Sequence, residues 1–201
     1  MEQSAITTVR RVLSQNPKKT LLGPSLTPSG VMLLLYPVAG EYCVLLNVRS
    51  DSVEDHRGEI SFPGGRKDES DRTLLDTALR ETHEEMGVRP QDVEVLGELD
   101  DVATNSSYLI SPFVGTIQHP YRFRPNDREV VEVLEVPLAE LSDDGSVRDE
   151  VWLEVGGLVS RPSYAYKGHL IYGATARILS RFLELLNSVP EEEAVWKTKQ
   201  P

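Results

Sequence analysis

Gly64-Gly65-Arg66-Lys67-Asp68-Glu69-Ser70-Asp71 leads, through Arg72 to Leu79, into Arg80-Glu81-Thr82-His83-Glu84-Glu85-Met86-Gly87-Val88. The second half of this stretch has helical periodicity. Leu74, Leu75, Ala78, Leu79, Thr82 and Met86 recur as one stripe, which predicts a helix from about Thr73 to Met86. Ser70 or Asp71 is expected to cap its start and Gly87 to stop it. At about 100° per residue, Glu81 and Glu85 lie one turn apart, with Glu84 within about 60° of Glu81. Three carboxylates are therefore expected on one narrow face, opposite the Leu75, Leu79 and Met86 side. Like charges so spaced cost on the order of 0.3 kcal/mol per pair. The last turn is also the wrong end of the helix dipole for negative charge. A Glu pair alone reads as a solvated face, but three acids concentrated here call for a compensating cation. Mg2+ suits them, because it takes one or two carboxylates together with phosphate oxygens and water. Arg80 precedes Glu81 by one residue and Glu84 by four, so it can orient either acid. The Gly64-Gly65 pair lets the backbone turn tightly and approach a ligand.

Outward from this segment, Val31 to Leu35 and Tyr42 to Val48 read as strands, with Pro37-Val38-Ala39-Gly40 supplying the turn between them. Ile60 to Phe62 reads as a short strand, and Val93 to Leu99, Tyr108 to Ile117, Val130 to Val136 and Val151 to Val155 as others. Pro137 to Leu141 is expected to form a helical turn. Residues 3–15 form an amphipathic helix in this reading, with Ile6, Val9 and Val12 or Leu13 on one side, followed by a Pro/Gly-punctuated connector from Asn16 to Gly30. Gly173 opens a last helix with Ile178, Leu179, Phe182, Leu183 and Leu186 on its apolar face. The acidic, then polar tail, residues 190–201, is expected to fray. The pattern predicts an α/β sandwich, one domain over residues 1–201 with its core at 28–187.

Composition narrows the partners. A net charge of -11 over 201 residues argues against a nucleic-acid binder. It is compatible with a small anionic substrate screened by a divalent cation. No apolar run approaches the ~20 residues needed to cross a bilayer, and the N-terminus has no signal-like apolar region, so a soluble protein without a membrane partner is expected. The one cysteine, Cys43, cannot form an internal disulfide; it reads as a buried core thiol and fits a cytoplasmic location. A homodimer is permitted but not specified.

Gly65 to Val88 resembles the Nudix box, G-x5-E-x7-R-E-U-x-E-E-x-G-U with U aliphatic. Arg80-Glu81, Glu84-Glu85 and Gly87-Val88 fall on its second half position by position, with Thr82 at the U after R-E. Fourteen residues separate Gly65 from Arg80 instead of thirteen, and counting back from Arg80 puts Arg72 where the first Glu belongs. Upstream, Leu45-Leu46-Asn47-Val48-Arg49-Ser50 and His56-Arg57-Gly58-Glu59-Ile60-Ser61-Phe62-Pro63 look like the segment preceding the box in the coenzyme A pyrophosphatase branch. In that upstream motif Glu54 stands, four residues after Ser50, where Arg is usual. Residues 129–138 and 168–179 are similar to later parts of that branch, with Tyr172 where Trp is usual.

The resemblance implies a Nudix-type α/β/α sandwich with a mixed sheet and a Mg2+-dependent hydrolase, with Mn2+ as a possible substitute. Its substrate would be a small nucleotide derivative carrying a diphosphate. Coenzyme A or an acyl-CoA would give 4′-phosphopantetheine and adenosine 3′,5′-bisphosphate. ADP-ribose, another nucleoside diphosphate derivative or a nucleoside triphosphate is the alternative, favoured by Glu54 and Tyr172, and a non-catalytic nucleotide-binding module is a third reading. Glu81, Glu85 and the Gly65 carbonyl are the expected metal ligands. Glu84, Arg80 and Glu129 are the expected catalytic residues: Glu84 to bind metal or accept a proton, Arg80 to orient an acid, Glu129 or its neighbour Glu132 as an extra base or ligand. Arg49, Arg66 and His56 are candidate phosphate contacts. His83 and His169 read as surface or loop residues, and Tyr164, Tyr166 and Tyr172 as core residues or adenine-stacking rings.

Overall fold

The computed structural model describes residues 2–23, 25–50, 58–142, 145–154, 157–190, 194 and 196. Its elements run α1 (Glu2–Gln15), β1 (Thr27–Val38), β2 (Glu41–Arg49), β3 (Ile60–Ser61), β4 (Gly64–Arg66) and α2 (Leu74–Met86). They continue with β5 (Glu94–Glu98), β6 (Val102–Ala103), β7 (Tyr108–Thr116), β8 (Val130–Pro137), α3 (Leu138–Leu141), β9 (Val147–Glu154), β10 (Gly157–Tyr166), β11 (His169–Ile171) and α4 (Gly173–Asn187).

The long strand β1 organises the fold. It pairs in parallel with β7 along one edge, from Thr27↔Tyr108 to Leu34↔Gly115. Along the other edge its first part pairs with β4 and its last part with β2, both antiparallel. The sheet path is β3-β2-β1-β7-β5, with β8 on β2 and β6 on β7. A mixed sheet results, as expected.

Both faces of β1 are covered from Val31 to Tyr36, and there its side chains run apolar without a polar alternate. Met32, Leu34 and Tyr36 pack with Leu45, Ala78 and Met86 under α2. Leu33 and Leu35 join Val44, Leu46, the α1 residues Ala5, Val9, Val12 and Leu13, and the α4 residues Ile178, Leu179, Phe182 and Leu186 on the opposite face. Helix, sheet and helix form the α/β/α sandwich. Cys43 is buried, and burial pushes its thiol up to about 12, which leaves it inert as a nucleophile. None of the described helices is long and apolar enough to cross a membrane.

Several boundaries differ from the sequence reading. β1 starts at Thr27, inside the expected connector, because its first residues find parallel partners on β7. Pro37 and Val38 stay in the strand, and the hairpin closes on Ala39 and Gly40 alone, both at positive φ, 49° and 85°. β9 begins at Val147, and with the unforeseen β10 and β11 it makes a separate antiparallel sheet. β10 escapes a periodicity search because Gly157 to Ser160 are exposed and Pro162 interrupts the run. Tail residues Ala194 and Trp196 are buried, at 3% and 6% exposure, so this part of the tail is anchored rather than frayed. Glu191 to Glu193 lie outside the described residues.

Candidate active site

Helix α2 is fixed at both ends. Thr73, not Ser70 or Asp71, is its N-cap: the Thr73 hydroxyl accepts from the Asp76 amide at 3.1 Å, and the Asp76 carboxylate accepts from the Thr73 amide at 2.8 Å. Gly87 ends the helix at φ 71°, its amide donating to the His83 carbonyl, as its position predicted. The helix lies hard against β1. A Cβ on Gly30 would stand 2.2 Å from the Leu74 carbonyl oxygen.

That close approach changes which face is buried. Thr77, Ala78, Thr82, Glu85 and Met86 point inward, while Leu74, Leu75 and Leu79 are only half-buried. The three acids therefore do not stand opposite the core. They fan from it: the Glu85 side chain is 2% exposed, Glu81 16% and Glu84 52%.

Glu85 is held by three donors. Asn47 Nδ2 gives 2.8 Å and the Gly64 amide 3.3 Å to Oε2, and Arg49 Nη1 lies 3.4 Å from Oε1. Asn47 is itself set by the Ser61 hydroxyl, which donates to its Oδ1 at 2.7 Å. Burial pushes the Glu85 carboxyl up to about 7, with Arg49 opposing and the Glu81 charge adding to the rise. Glu81 is raised too, chiefly by burial, against its bond from Arg80 and with repulsion from Glu84 and Glu129. Gly65 lies directly on Glu81, since a Cβ there would sit 2.5 to 2.8 Å from all three carboxylate atoms.

Arg80 orients Glu81 and Glu84, with Nη1 at 2.7 and 3.1 Å from their oxygens. Its strongest partner was not foreseen. Asp71, 6% exposed, accepts from Arg80 Nε at 3.0 Å and Nη2 at 2.9 Å, and from the Thr77 hydroxyl at 2.9 Å. This pairing keeps the Asp71 carboxyl far below the usual carboxylate range. Arg72, placed at the acid position by counting back from Arg80, is exposed. Counting forward from Gly65 across five intervening residues lands on Asp71, so the extra loop residue lies between Asp71 and Arg80.

Glu81, Glu85 and Gly65 border a cavity of about 1030 Å³. Gly65, Glu81, Glu85 and Glu129 form an acidic stretch of its wall, and Arg49 and Arg66 line it as well. Arg128, Arg161 and Arg177 bring further positive charge, and Tyr108 and Tyr172 bring rings. Arg66 Nε donates to the Tyr108 hydroxyl at 2.6 Å, and its guanidinium lies 5.3 Å from that ring. Glu129 receives Asn126 Nδ2 at 3.0 Å. Glu84 and Arg80 are not part of the wall. Glu132 faces away and is exposed, with His169 Nε2 at 3.2 Å, so it leaves the site and His169 is a strand residue rather than a loop one. Tyr164 is a core residue and Tyr166 bonds the Glu135 carbonyl. His83 is exposed, and Glu54 and His56 lie outside the described residues.

Among the described residues no three acid, histidine or cysteine side chains converge as a finished cation cage. The donor set still suits a hard divalent cation. Glu85, buried, and Glu81, half-buried, are oxygen donors that repel each other, and Mg2+ needs only one or two carboxylates when phosphate and water complete its shell.

A helix of acids and an Arg-Asp clamp behind a Gly-Gly strand, on a mixed sheet between helices, define a class of protein. The family model described as the NUDIX domain matches residues 26–160, more than half of the chain. The chain belongs to the Nudix family of hydrolases. It is 35% identical over 150 residues to an uncharacterized Nudix hydrolase, NudL, of Yersinia enterocolitica, covering 73% of this chain and 75% of that one. It is 36% identical over 144 residues to NudL of Photorhabdus laumondii, covering 70% and 75%. The crystal structure of RenU, a Nudix hydrolase from M. smegmatis, shares the fold with a TM-score of 0.55 at 21% identity, covering 82% of this chain and 88% of that one.

Proposed function

We propose that the chain hydrolyses the diphosphate of coenzyme A or an acyl-CoA, with Mg2+, to 4′-phosphopantetheine and adenosine 3′,5′-bisphosphate. The observation that carries the hydrolytic part is the cavity wall on which Glu81, Glu85 and Glu129 stand together with Arg49 and Arg66. The choice of coenzyme A rests on the resemblance of residues 45–50, 56–65, 129–138 and 168–179 to that branch. Arg128, Arg161 and Arg177 support it by adding positive charge for an anionic group beyond the diphosphate.

In this reading Glu81, Glu85 and the Gly65 carbonyl hold the cation. Bound there, Mg2+ supplies positive charge that neutralises diphosphate oxygens and acidifies water. Water attacks one phosphorus, the bridging P–O bond breaks, and the water's proton passes to a carboxylate. Glu129, on the cavity wall, suits that proton better than Glu84, which is half exposed and tied to Arg80. Arg80, clamped by Asp71, keeps Glu81 aimed. Arg49 and Arg66 position phosphate oxygens.

The test is product analysis with Mg2+ across coenzyme A, ADP-ribose and nucleoside triphosphates, alongside Glu85→Gln and a chelator control. Release of the two named products, abolished by Glu85→Gln or chelator, is expected. Turnover of ADP-ribose or a triphosphate with no cleavage of coenzyme A would falsify the substrate assignment. No turnover of any of them would overturn the hydrolytic reading.

A further inference from the structure

Strand β2 pairs regularly with β8 up to Val48↔Glu132, then slips so that Arg49 faces Val130. Val131 is left over and is 69% exposed. Such a bulge bends a strand and re-aims its side chains. Asn47 and Arg49, two residues apart, share one face, and both reach the same acid, Asn47 at Glu85 Oε2 and Arg49 at Oε1. The main chain at Arg49 is pinned from two sides. Its amide donates to the Glu59 carbonyl at 2.9 Å, its carbonyl accepts from Gly58 at 3.1 Å, and the Ser50 amide donates to the Glu129 carbonyl at 2.8 Å.

The Arg49 side chain is far less engaged than its backbone. Its contact to Glu85 is long, 3.4 Å, and its buried Nε–H has no hydrogen-bond partner among the described residues. Arg80 is the contrast, since its Nε, Nη1 and Nη2 all donate to acceptors at 2.7 to 3.1 Å. A buried donor left unmatched is costly, and a guanidinium fork matches phosphate oxygens in pairs. Arg49 thus offsets the charge of Glu85 while its fork is largely unused among the described residues, and it does so on the cavity wall. A guanidinium and a divalent cation beside one carboxylate repel each other unless an anion lies between them.

We infer that Arg49 is a stand-in cation for Glu85. It yields that acid when a divalent cation binds and turns its fork to the substrate diphosphate, so cation and diphosphate bind cooperatively. This deepens the proposed function and rests on it. Linkage makes the effect reciprocal: whatever factor the diphosphate adds to cation affinity, the cation adds to diphosphate affinity.

The experiment titrates Mn2+ into the 201-residue chain by calorimetry, with and without a methylene-bridged ADP analogue that resists cleavage. Wild type, Arg49→Ala and Arg49→Lys are compared, and melting curves check folding. Arg49→Ala is expected to bind Mn2+ alone about fivefold tighter than wild type, and to lose about fivefold of the analogue's enhancement. Arg49→Lys, which keeps the charge but not the fork, is expected to keep wild-type Mn2+ affinity and still lose the enhancement. Unchanged or weaker Mn2+ binding in folded Arg49→Ala overturns the inference, as does full enhancement in either variant. If Arg49→Ala does not fold, Arg49→Lys decides alone by its enhancement. Failure of wild type to bind Mn2+ and the analogue removes the functional reading itself, and the inference with it.

Discussion

Asp71 shows how one buried acid can govern a site without touching the cavity. It receives two bonds from Arg80, and Arg80 in turn holds Glu81 and Glu84. Asp71→Ala leaves a partly buried guanidinium without its main partner and is expected to cost about 2 kcal/mol in urea unfolding, below the full buried-pair loss because Arg80 is 26% exposed. Hydrolysis should fall about 10- to 100-fold, the usual effect of losing a residue that orients a ligand. Because its carboxyl titrates far below the usual range, the stability Asp71 gives is present above about pH 4 and is lost as pH falls further. Asp71→Asn should accordingly show a shallower loss of stability between about pH 4 and 2 than wild type; parallel acid curves would sink that assignment. Gly65→Ala separates activity from folding. The added methyl meets the far end of a flexible side chain, the Glu81 carboxylate, rather than backbone. Its melting temperature should stay within about 2 °C of wild type, a change under about 1 kcal/mol, while Mn2+ affinity and turnover both drop. Full turnover in Gly65→Ala would show that Glu81 need not sit where it does.

At the scale of elements, α2 owes its start to the Thr73–Asp76 capping box, and Thr73→Ala should cost about 1 kcal/mol in urea unfolding. A loss below about 0.3 kcal/mol would mean the bonds add little beyond those made with water. The helix itself was legible in the sequence, and so was its stop at Gly87, because both depend on local spacing. Its burial was not. Leu75 and Leu79 outrank Thr77 and Thr82 in hydrophobicity, yet Gly30 draws the helix so close to β1 that the smaller residues face the sheet. The metal-side candidates Gly65, Glu81 and Glu85 could be read from one continuous segment, and the structure brings them to one wall. Asn47 could not be read so, since its role follows from pairing with Ser61 across β2 and β3. Glu129 and Glu132 looked alike in sequence; the cavity takes one and His169 the other, a difference set by strand pairing that no spacing reveals.

For the whole molecule, the consequence is that the buried acid at its centre makes stability, pH and cation binding depend on one another. The Glu85 carboxyl is pushed up to about 7 in the folded chain, chiefly by burial, so between the ordinary carboxylate range and about pH 7 the folded state holds a proton that the unfolded state releases. Stability of the cation-free protein must therefore fall as pH rises through that window, by an amount on the order of 3 kcal/mol once pH 8 is reached. For a chain of this size that corresponds to a melting-temperature loss of about 5 °C or more. Glu85→Gln carries no such charge and should melt higher than wild type at pH 8 in chelator, with the gap closing by pH 5. Mg2+ should raise the wild-type melting temperature more at pH 8 than at pH 5.5, because at the lower pH a proton competes for the same carboxylate. Thermal melts at both pH values, with Mg2+ and with chelator, measure all of this in one series. A Mg2+ effect independent of pH, together with a Glu85→Gln variant that melts like wild type at pH 8, would mean the acid is neither strained by its burial nor relieved by the cation.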